Sequence, residues 1–364
     1  MPGTARAGRA APSTWRVVER PALRARRAGG SLAWPVAAYA EHMADDLPLL
    51  LPTGGAHAAL APLAARAVEL AAHAVSPHTR RAYQRGWRSF ETWAQAHGLV
   101  ALPATPETLT LYLTDRATAV RVATLEQELA AIAAAHRAAD RVSPTEDRTV
   151  RLVWKGIRRT YGAPARQKAP VNVVDLIRMV DALDPGTGGI RDRALLLLGF
   201  AGALRRSELV ALDVEDLTPS SDGYALLVRR SKSDAVGDGH RIGIPNGRRP
   251  ETCPVRALRA WIDHAAVQTG PLFRPVDRHG RIQPTRLGAR AVAEVVKRAA
   301  QRVGLDPAGV SGHSLRAGLA TEAVRAGLSE RAIMAQTRHI SVVTFRGYVR
   351  TGSLFLDNPA AALL

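Results

Sequence analysis

The chain has 364 residues, and its 46% apolar content is enough to fill buried cores, which excludes a globally disordered protein. At roughly 150 residues per domain, this length predicts two or three domains. The 50 Lys and Arg residues outnumber the 32 Asp and Glu residues and leave a formal net charge of +18. Such an excess indicates a polyanionic partner, most often nucleic acid, and excludes an acidic-tail or mucin-like protein.

Several classes of site are missing from the sequence. Cys253 is the single cysteine, which excludes an intrachain disulfide and argues against a cysteine-based metal site. A P-loop, a glycine-rich dinucleotide turn and a His-Glu-x-x-His motif are all absent, so we expect neither a cofactor nor a metal. The longest apolar run, residues 194–204, is shorter than the roughly 18 residues of a membrane span. We therefore expect a cytoplasmic protein without a membrane segment.

The N-terminal part of the chain divides into an arm and a helical domain. Residues 1–30 hold seven Arg and one acidic residue without periodicity, which predicts a basic, flexible arm over residues 1–55. Ser76-Pro77 is typical of a helix start, and apolar residues follow at helical spacing until Gly98. Thr105-Pro106 and Ser143-Pro144 repeat that start signal. We therefore predict an all-α domain of about four helices over residues 56–161.

A polar segment rich in Pro and Ala, residues 162–172, predicts a linker to a second domain over residues 173–364. The run Tyr224–Arg230, entered through Asp222-Gly223, predicts a strand that pairs with Arg241–Pro245 as a hairpin. Apolar spacing elsewhere predicts helices over 173–183, 190–203, 206–211, 254–266, 286–303, 313–326, 329–337 and 341–349. The predicted fold class is therefore mainly α with a small antiparallel sheet (α+β). Both domains are basic, as expected of two modules that hold one nucleic-acid duplex.

The C-terminal half contains an ordered set of side chains suited to chemistry on a phosphate. Its members are Arg205, Lys232, His313, Arg316, His339 and Tyr348. Arg205 ends an apolar helix in Leu204-Arg205-Arg206-Ser207-Glu208-Leu209, and Lys232 follows the predicted strand. His313 and Arg316 are three residues apart and share a helical face. A lone His-x-x-Arg pair carries little information, since His78 and Arg81 form a second one. The order and spacing of the whole set carry the information.

This set resembles the tyrosine recombinase (phage integrase) family and has the outline of Cre-type recombinases, from about residue 60 to the end. The resemblance implies an N-terminal core-binding domain and a catalytic domain that form a C-shaped clamp on DNA. It also implies a homotetramer on double-stranded DNA with an inverted-repeat site, with an accessory directionality factor as a further partner. Two departures are visible, because Arg206 stands where an apolar residue is usual and Arg338 where a Gly usually precedes the second His.

The resemblance also assigns roles to the nucleophile and the phosphate ligands. Tyr348 would attack phosphorus to give a 3′-phosphotyrosyl bond and a free 5′-hydroxyl. A phenol with a pKa of about 10 is a weak nucleophile at pH 7, so nearby cations must stabilise the phenolate. Arg205 and Arg316 would each direct two N–H donors at the non-bridging oxygens, a geometry that Lys does not provide. Neither ATP nor metal is required for this chemistry.

The remaining members handle protons or hold their neighbours. Lys232 would protonate the 5′-oxygen, which Arg does not do because it keeps its proton. His313 would act as base or proton relay, and His339 would donate to a phosphate oxygen. Glu208 would orient either His313 or the arginine. The C-terminal tail would dock in a neighbouring protomer, with packing in cis as the alternative.

Four arginines of the first predicted domain are candidate contacts for DNA phosphates, with simple solvation as the equal alternative. They are Arg80, Arg81, Arg85 and Arg88. We expect Trp87 and Trp93 to lie in the core rather than to stack on bases. Two functions compete with recombination: DNA relaxation by a type IB topoisomerase, and a catalytically silent DNA-binding regulator with the same fold. We expect a nucleoid-associated protein of bacterial or phage origin.

Overall fold

The computed structural model describes residues 61–339 except 73, 164–167 and 230–238, together with residues 342, 345 and 347. The chain divides into two compact units, residues 1–165 and 166–364. This division lies inside the segment that the sequence predicts to be a linker. The predicted arm, residues 1–55, lies outside the described residues. Within the described part, no helix is both long enough and apolar enough to cross a membrane.

The described part of the first unit is helical and holds no strand. Its helices are α1 (Ala61–Ala72), α2 (Pro77–Ala96), α3 (Pro106–Arg116), α4 (Val122–Ala138) and α5 (Arg148–Tyr161). Two predicted helix starts are confirmed, because the Ser76 and Thr105 hydroxyls accept bonds from the backbone amides three residues later. The third start is wrong. Ser143-Pro144 begins only a 3₁₀ turn, and α5 begins after Asp147, whose carboxylate accepts two backbone amide bonds.

Aromatic side chains from α2 and α3 fill the core of the first unit. Trp87 and Phe90 pack with Tyr112 and with apolar residues of α4. Trp87 is 2% exposed, so its predicted core position is confirmed. Trp93 is half-buried, packs against Tyr112, and donates its indole N–H to Asp115 at 2.8 Å. These contacts leave the opposite face of α2 to solvent.

The second unit combines helices with a small sheet. The helices are α6 (Val173–Asp181), α7 (Thr187–Ala201), α8 (Arg206–Ala211), α9 (Pro254–Ala265), α10 (Ala289–Arg302), α11 (His313–Arg325) and α12 (Glu330–Thr337). The strands are β1 (Leu217–Ser220), β2 (Gly223–Val228) and β3 (His240–Pro245), antiparallel in the order β1-β2-β3. The predicted hairpin is β2-β3. Strand β1 was not predicted, because three of its four residues are exposed and it lacks apolar alternation. The predicted helix over 341–349 lies mostly outside the described residues.

Helix α7 lies at the centre of the core of the second unit, and the core around it holds the segments that carry the candidate active site. Residues 194–198 are all buried among side chains of α9 and α11. Gly318 of α11 has no side chain, and a Cβ there would lie 2.0 Å from the Val171 carbonyl oxygen. The Val171 amide donates to the Ser314 carbonyl oxygen at 3.0 Å. The chain that enters this unit is therefore tied to the start of α11, where His313 and Arg316 lie.

Candidate active site

The turn between α7 and α8 positions the first arginine of the predicted set. Ala203 in this turn has a φ of 44°, in the left-handed region that a residue with a Cβ rarely adopts. Arg205 precedes α8, and its backbone amide donates to Glu208 Oε2 at 2.9 Å. Its guanidinium donates to Glu208 Oε1 at 2.5 Å. Because Glu208 is only 3% exposed, this one carboxylate fixes both the backbone and the side chain of Arg205.

Arg316 is held by the same turn. Its side chain extends from α11 and is 1% exposed, and its Nη1 donates to the Ala203 carbonyl oxygen at 2.8 Å. A buried guanidinium requires such partners because an unpaired charge in the interior is very costly. Arg205 and Arg316, which are 111 residues apart in the sequence, are therefore both anchored on residues 203–208.

His313 is the first residue of α11 and reaches solvent on one side. Surrounding protein atoms lower the pKa of His313, and the charges of Arg316 and Arg205 lower it further. These two couplings place the His313 imidazole within the electrostatic reach of both arginines. The prediction that His313 and Arg316 share a helical face agrees with this arrangement.

His339 follows Arg338, the residue that caps the C-terminal end of α12. Its Nδ1 lies 2.8 Å from Thr337 Oγ1, and that hydroxyl donates to the Ile333 carbonyl oxygen at 2.7 Å. The hydroxyl has one proton, so Nδ1 is the donor to Thr337, and the neutral ring keeps Nε2 unprotonated. Burial, together with the charges of Arg316 and Arg205, lowers the pKa of His339 to about 4, and burial is the largest cause. His339 is therefore neutral at pH 7 in this arrangement.

Arg338 is a member of the cluster that sequence reasoning missed. Its side chain is 2% exposed, and its Nη2 donates to Glu208 Oε2 at 2.9 Å and to the Ala203 carbonyl oxygen at 3.1 Å. Its Nη1 donates to the carbonyl oxygens of Gly202 and Gln336 at 3.1 and 3.0 Å. One feature of the sequence could have indicated this role: position 338 holds an arginine where the resembled family usually has Gly.

The described structure brings four of the six predicted residues together: Arg205, His313, Arg316 and His339. Lys232 and Tyr348 lie outside the described residues. Of the two partners expected for Glu208, the structure pairs it with the arginine, Arg205, and Arg338 is a second partner. No cluster of His, Cys, Asp or Glu suited to a metal ion occurs within the described ranges. The groups that converge here are thus cations, neutral imidazoles and one carboxylate, which suits the binding of an anion.

The candidate DNA contacts in the first unit separate by helical position. Arg81, Arg85 and Arg88 are exposed and follow the i, i+4, i+7 spacing of one stripe on α2. Arg80 is partly buried and lies about 100° around the helix from Arg81. Arg80 therefore lies off this stripe, and the contact of these four arginines with DNA phosphates stays a prediction.

A second basic stripe, on α5, was missed. Its exposed members are Arg148, Arg151, Lys155, Arg158 and Arg159, at i, i+3, i+7, i+10 and i+11. Val150 and Ile157 are buried on the opposite side of the helix. The spacing of these residues was visible in the sequence, and it alone would have identified the stripe.

Comparisons with known proteins define the class first. The fold is that of DNA-bound tyrosine recombinases, with a TM-score of 0.62 to the XerH site-specific recombinase in its post-cleavage complex with a palindromic difH substrate. That match has 14% identity and covers 90% of this chain and 94% of the other. A lambda integrase (75–356) dimer bound to a COC′ core site matches with a TM-score of 0.53 and 17% identity, over 77% and 91% of the two chains.

Sequence comparisons then identify the family. The phage integrase family model matches residues 172–353. An integrase/recombinase XerD homolog of Selenomonas ruminantium is 39% identical over 285 residues, covering 77% of this chain and 84% of the relative. The recombinase Cre of Escherichia phage P1 is 26% identical over 269 residues, covering 68% and 76% of the two chains. The chain belongs to the phage integrase family, the tyrosine site-specific recombinases.

Proposed function

We propose that this protein cleaves and rejoins double-stranded DNA at a specific site through a 3′-phosphotyrosyl intermediate on Tyr348. The observation that carries the proposal is the anchoring of Arg205 and Arg316 on one turn, with two neutral histidines coupled to both. Transesterification at a phosphodiester adds negative charge to the non-bridging oxygens in the transition state, and fixed guanidinium groups stabilise that charge. Arg205 keeps 23% of its side chain exposed, so a phosphate from solvent can reach it.

The two histidines respond to the phosphate in the same direction. A bound anion favours the protonated form of a nearby imidazole and raises the pKa of His339 from its low value. Because Nδ1 of His339 donates to Thr337, protonation adds an Nε2–H that donates to a phosphate oxygen. His313, at the open start of α11, acts as the base or relay for the Tyr348 proton. The same geometry therefore serves cleavage and, in reverse, rejoining.

The two residues outside the described part attach to well-held segments. Phe345 is buried against Ile333, and its ring centroid lies 6.1 Å from that of His339. Tyr348 follows Phe345 by three residues in the sequence. Lys232 likewise follows Arg229 by three residues in the sequence. Arg229 pairs with Asp213 at 2.9 Å and with Asp216 at 2.6 Å. We assign Tyr348 as nucleophile and Lys232 as the acid for the 5′-oxygen.

The assembly and the domain roles form part of the same proposal. We assign residues 56–161 to DNA binding, 162–172 to a linker and 173–364 to catalysis, with a homotetramer on an inverted-repeat site as the active form. A lambda integrase tetramer bound to a Holliday junction has a similar fold, with a TM-score of 0.53 and 16% identity. This fold relative supports the proposed tetramer. The C-terminal tail is the proposed contact between protomers, and an accessory directionality factor the proposed further partner.

The test of this function uses a nicked suicide duplex that carries the cognate site, chosen from inverted repeats in the DNA flanking the gene. We expect a covalent protein–DNA adduct that survives denaturation and is absent in Tyr348→Phe, because phenylalanine has no nucleophilic oxygen. Binding without an adduct on the cognate site would contradict the proposal and support the silent regulator. Adducts on arbitrary DNA, together with relaxation of supercoils, would support the topoisomerase.

The exposed stripe of α2 gives a separate prediction about DNA binding. Arg85→Ala is expected to weaken binding to a duplex of arbitrary sequence and to reduce the slope of log K against log salt by about 1, because one phosphate contact is lost. Arg80→Ala, off the stripe, is the matched control and should leave the slope nearly unchanged. Fluorescence anisotropy between 50 and 200 mM salt, roughly the range where phosphate contacts dominate, measures both. Equal slopes for wild type and Arg85→Ala would remove α2 from the DNA interface.

A further inference from the structure

We propose that Arg338 is a positioning residue of this active site: its buried guanidinium fixes the Gly202-Ala203 turn and offsets Glu208, so that Arg205 and Arg316 present two net positive charges to the phosphate. The inference rests on the phosphate site proposed above and adds a residue to it.

The Arg338 side chain contacts the supports of both phosphate-binding arginines. The Arg338 guanidinium donates to the carbonyl oxygens of Gly202 and Ala203 and to Glu208 Oε2, all between 2.9 and 3.1 Å. The Ala203 oxygen is also the acceptor for Arg316. One guanidinium thus contacts the turn that holds Arg316 and the carboxylate that holds Arg205. Moving the Arg338 side chain moves the supports of both phosphate ligands.

Arg338 also sets the net charge around the phosphate-binding arginines. Arg205 and Arg316 contribute two positive charges, and Glu208 at 2.5 Å from Arg205 removes one of them. Arg338 at 2.9 Å from the same carboxylate restores the sum to two. A phosphodiester has one negative charge, and its phosphorane transition state has two. The summed charge of these four residues therefore matches that of the transition state, and without Arg338 it falls to one.

The backbone conformation of Arg338 is one that arginine rarely adopts. Arg338 ends α12 with φ 56° and ψ 44°, in the left-handed region that glycine adopts without strain and arginine does not. Backbone preference therefore does not account for an arginine here, and the contacts of its side chain do. Arg338→Gly relieves the backbone, so any loss in this variant comes from the missing guanidinium and not from backbone strain.

The experiment titrates inorganic phosphate into the full-length protein without DNA and follows the imidazole NMR signals of His339 and His313. In wild type we expect saturable shifts, which Arg316→Ala abolishes. Arg338→Gly should weaken phosphate binding about tenfold, as expected for loss of one nearby cation. It should also raise the pKa of His339, because the Arg338 charge that helps to lower this pKa is gone. Arg331→Ala, at an exposed position on α12, is the matched control and should behave as wild type.

A double variant makes the charge argument decisive. Glu208→Gln combined with Arg338→Gly removes one charge of each sign, so phosphate affinity should return toward the wild-type value. Arg338→Asn, whose residue type tolerates the left-handed backbone, provides a second single variant should the glycine variant unfold. Unchanged phosphate affinity and unchanged His339 pKa in Arg338→Gly and Arg338→Asn would overturn the role of Arg338 while leaving the phosphate site intact. If phosphate shifts neither histidine in wild type, the proposed site itself fails, and this inference fails with it.

Discussion

Arg316→Lys is expected to slow strand cleavage about 100- to 1000-fold while leaving DNA affinity nearly unchanged. Lysine keeps the positive charge that binds phosphate. It does not reproduce the planar fork of donors, and it does not reach the Ala203 carbonyl oxygen and a phosphate with the same fixed geometry. The substitution therefore removes stabilisation that matters most when charge develops on the phosphate oxygens.

Single-turnover adduct formation on the nicked cognate duplex measures this effect, and a gel-shift assay with the same DNA measures affinity. Arg325→Lys is the matched control, because Arg325 lies on the same helix, is half-exposed and pairs with Glu322 at 2.6 Å. That variant should cleave at the wild-type rate. Cleavage by Arg316→Lys within a few-fold of wild type would show that the guanidinium geometry is not used.

Glu208→Gln is expected to reduce the free energy of unfolding at pH 7 by about 3 kcal/mol. Glutamine has nearly the same shape but no charge, so it leaves the Arg338 guanidinium, 2% exposed, without a counter-ion. Uncompensated buried charge is among the few causes of losses this large. Urea unfolding of the full-length protein measures the difference. Glu322→Gln, which breaks the exposed pair with Arg325, should change stability by less than about 0.5 kcal/mol.

The effect of Glu208 should also depend on pH. Burial by itself raises the pKa of Glu208, but the charge of Arg338 and the hydrogen bonds from Arg205 outweigh burial, so the folded-state pKa lies below the ordinary value of 4.5. The unfolded state then binds more protons as the pH falls through this range. The contribution of Glu208 is complete above the ordinary value and is lost as pH falls through the lowered folded-state pKa. Unfolding should be measured down to pH 3, roughly one unit or more below the ordinary pKa of Glu. If the difference in unfolding free energy between wild type and Glu208→Gln stays constant over this range, the ion-pair role of Glu208 is contradicted.

Local patterns were sufficient for much of the fold. The hydroxyl caps at Ser76 and Thr105, the apolar run of α7 and the β2-β3 hairpin follow from interactions between residues a few positions apart. Predictions failed where one local signal competed with another. Ser143 has a capping hydroxyl, but Asp147 lies four residues later and its carboxylate caps α5 instead.

The sequence by itself predicted Arg205, His313, Arg316 and His339 as members of the site, but it did not predict Arg338. It also placed His313 and Arg316 on one helix, because helical periodicity is a local property. Only the tertiary structure decided that Arg316 and Arg338 meet at the Ala203 carbonyl oxygen, 113 and 135 residues away in the chain. Helix propensity and spacing carry no information about such a meeting. It arises because the buried Glu208 and the left-handed turn at Ala203 need hydrogen-bond donors. Helix α11, which packs against α7, and Arg338, which follows α12, supply these donors.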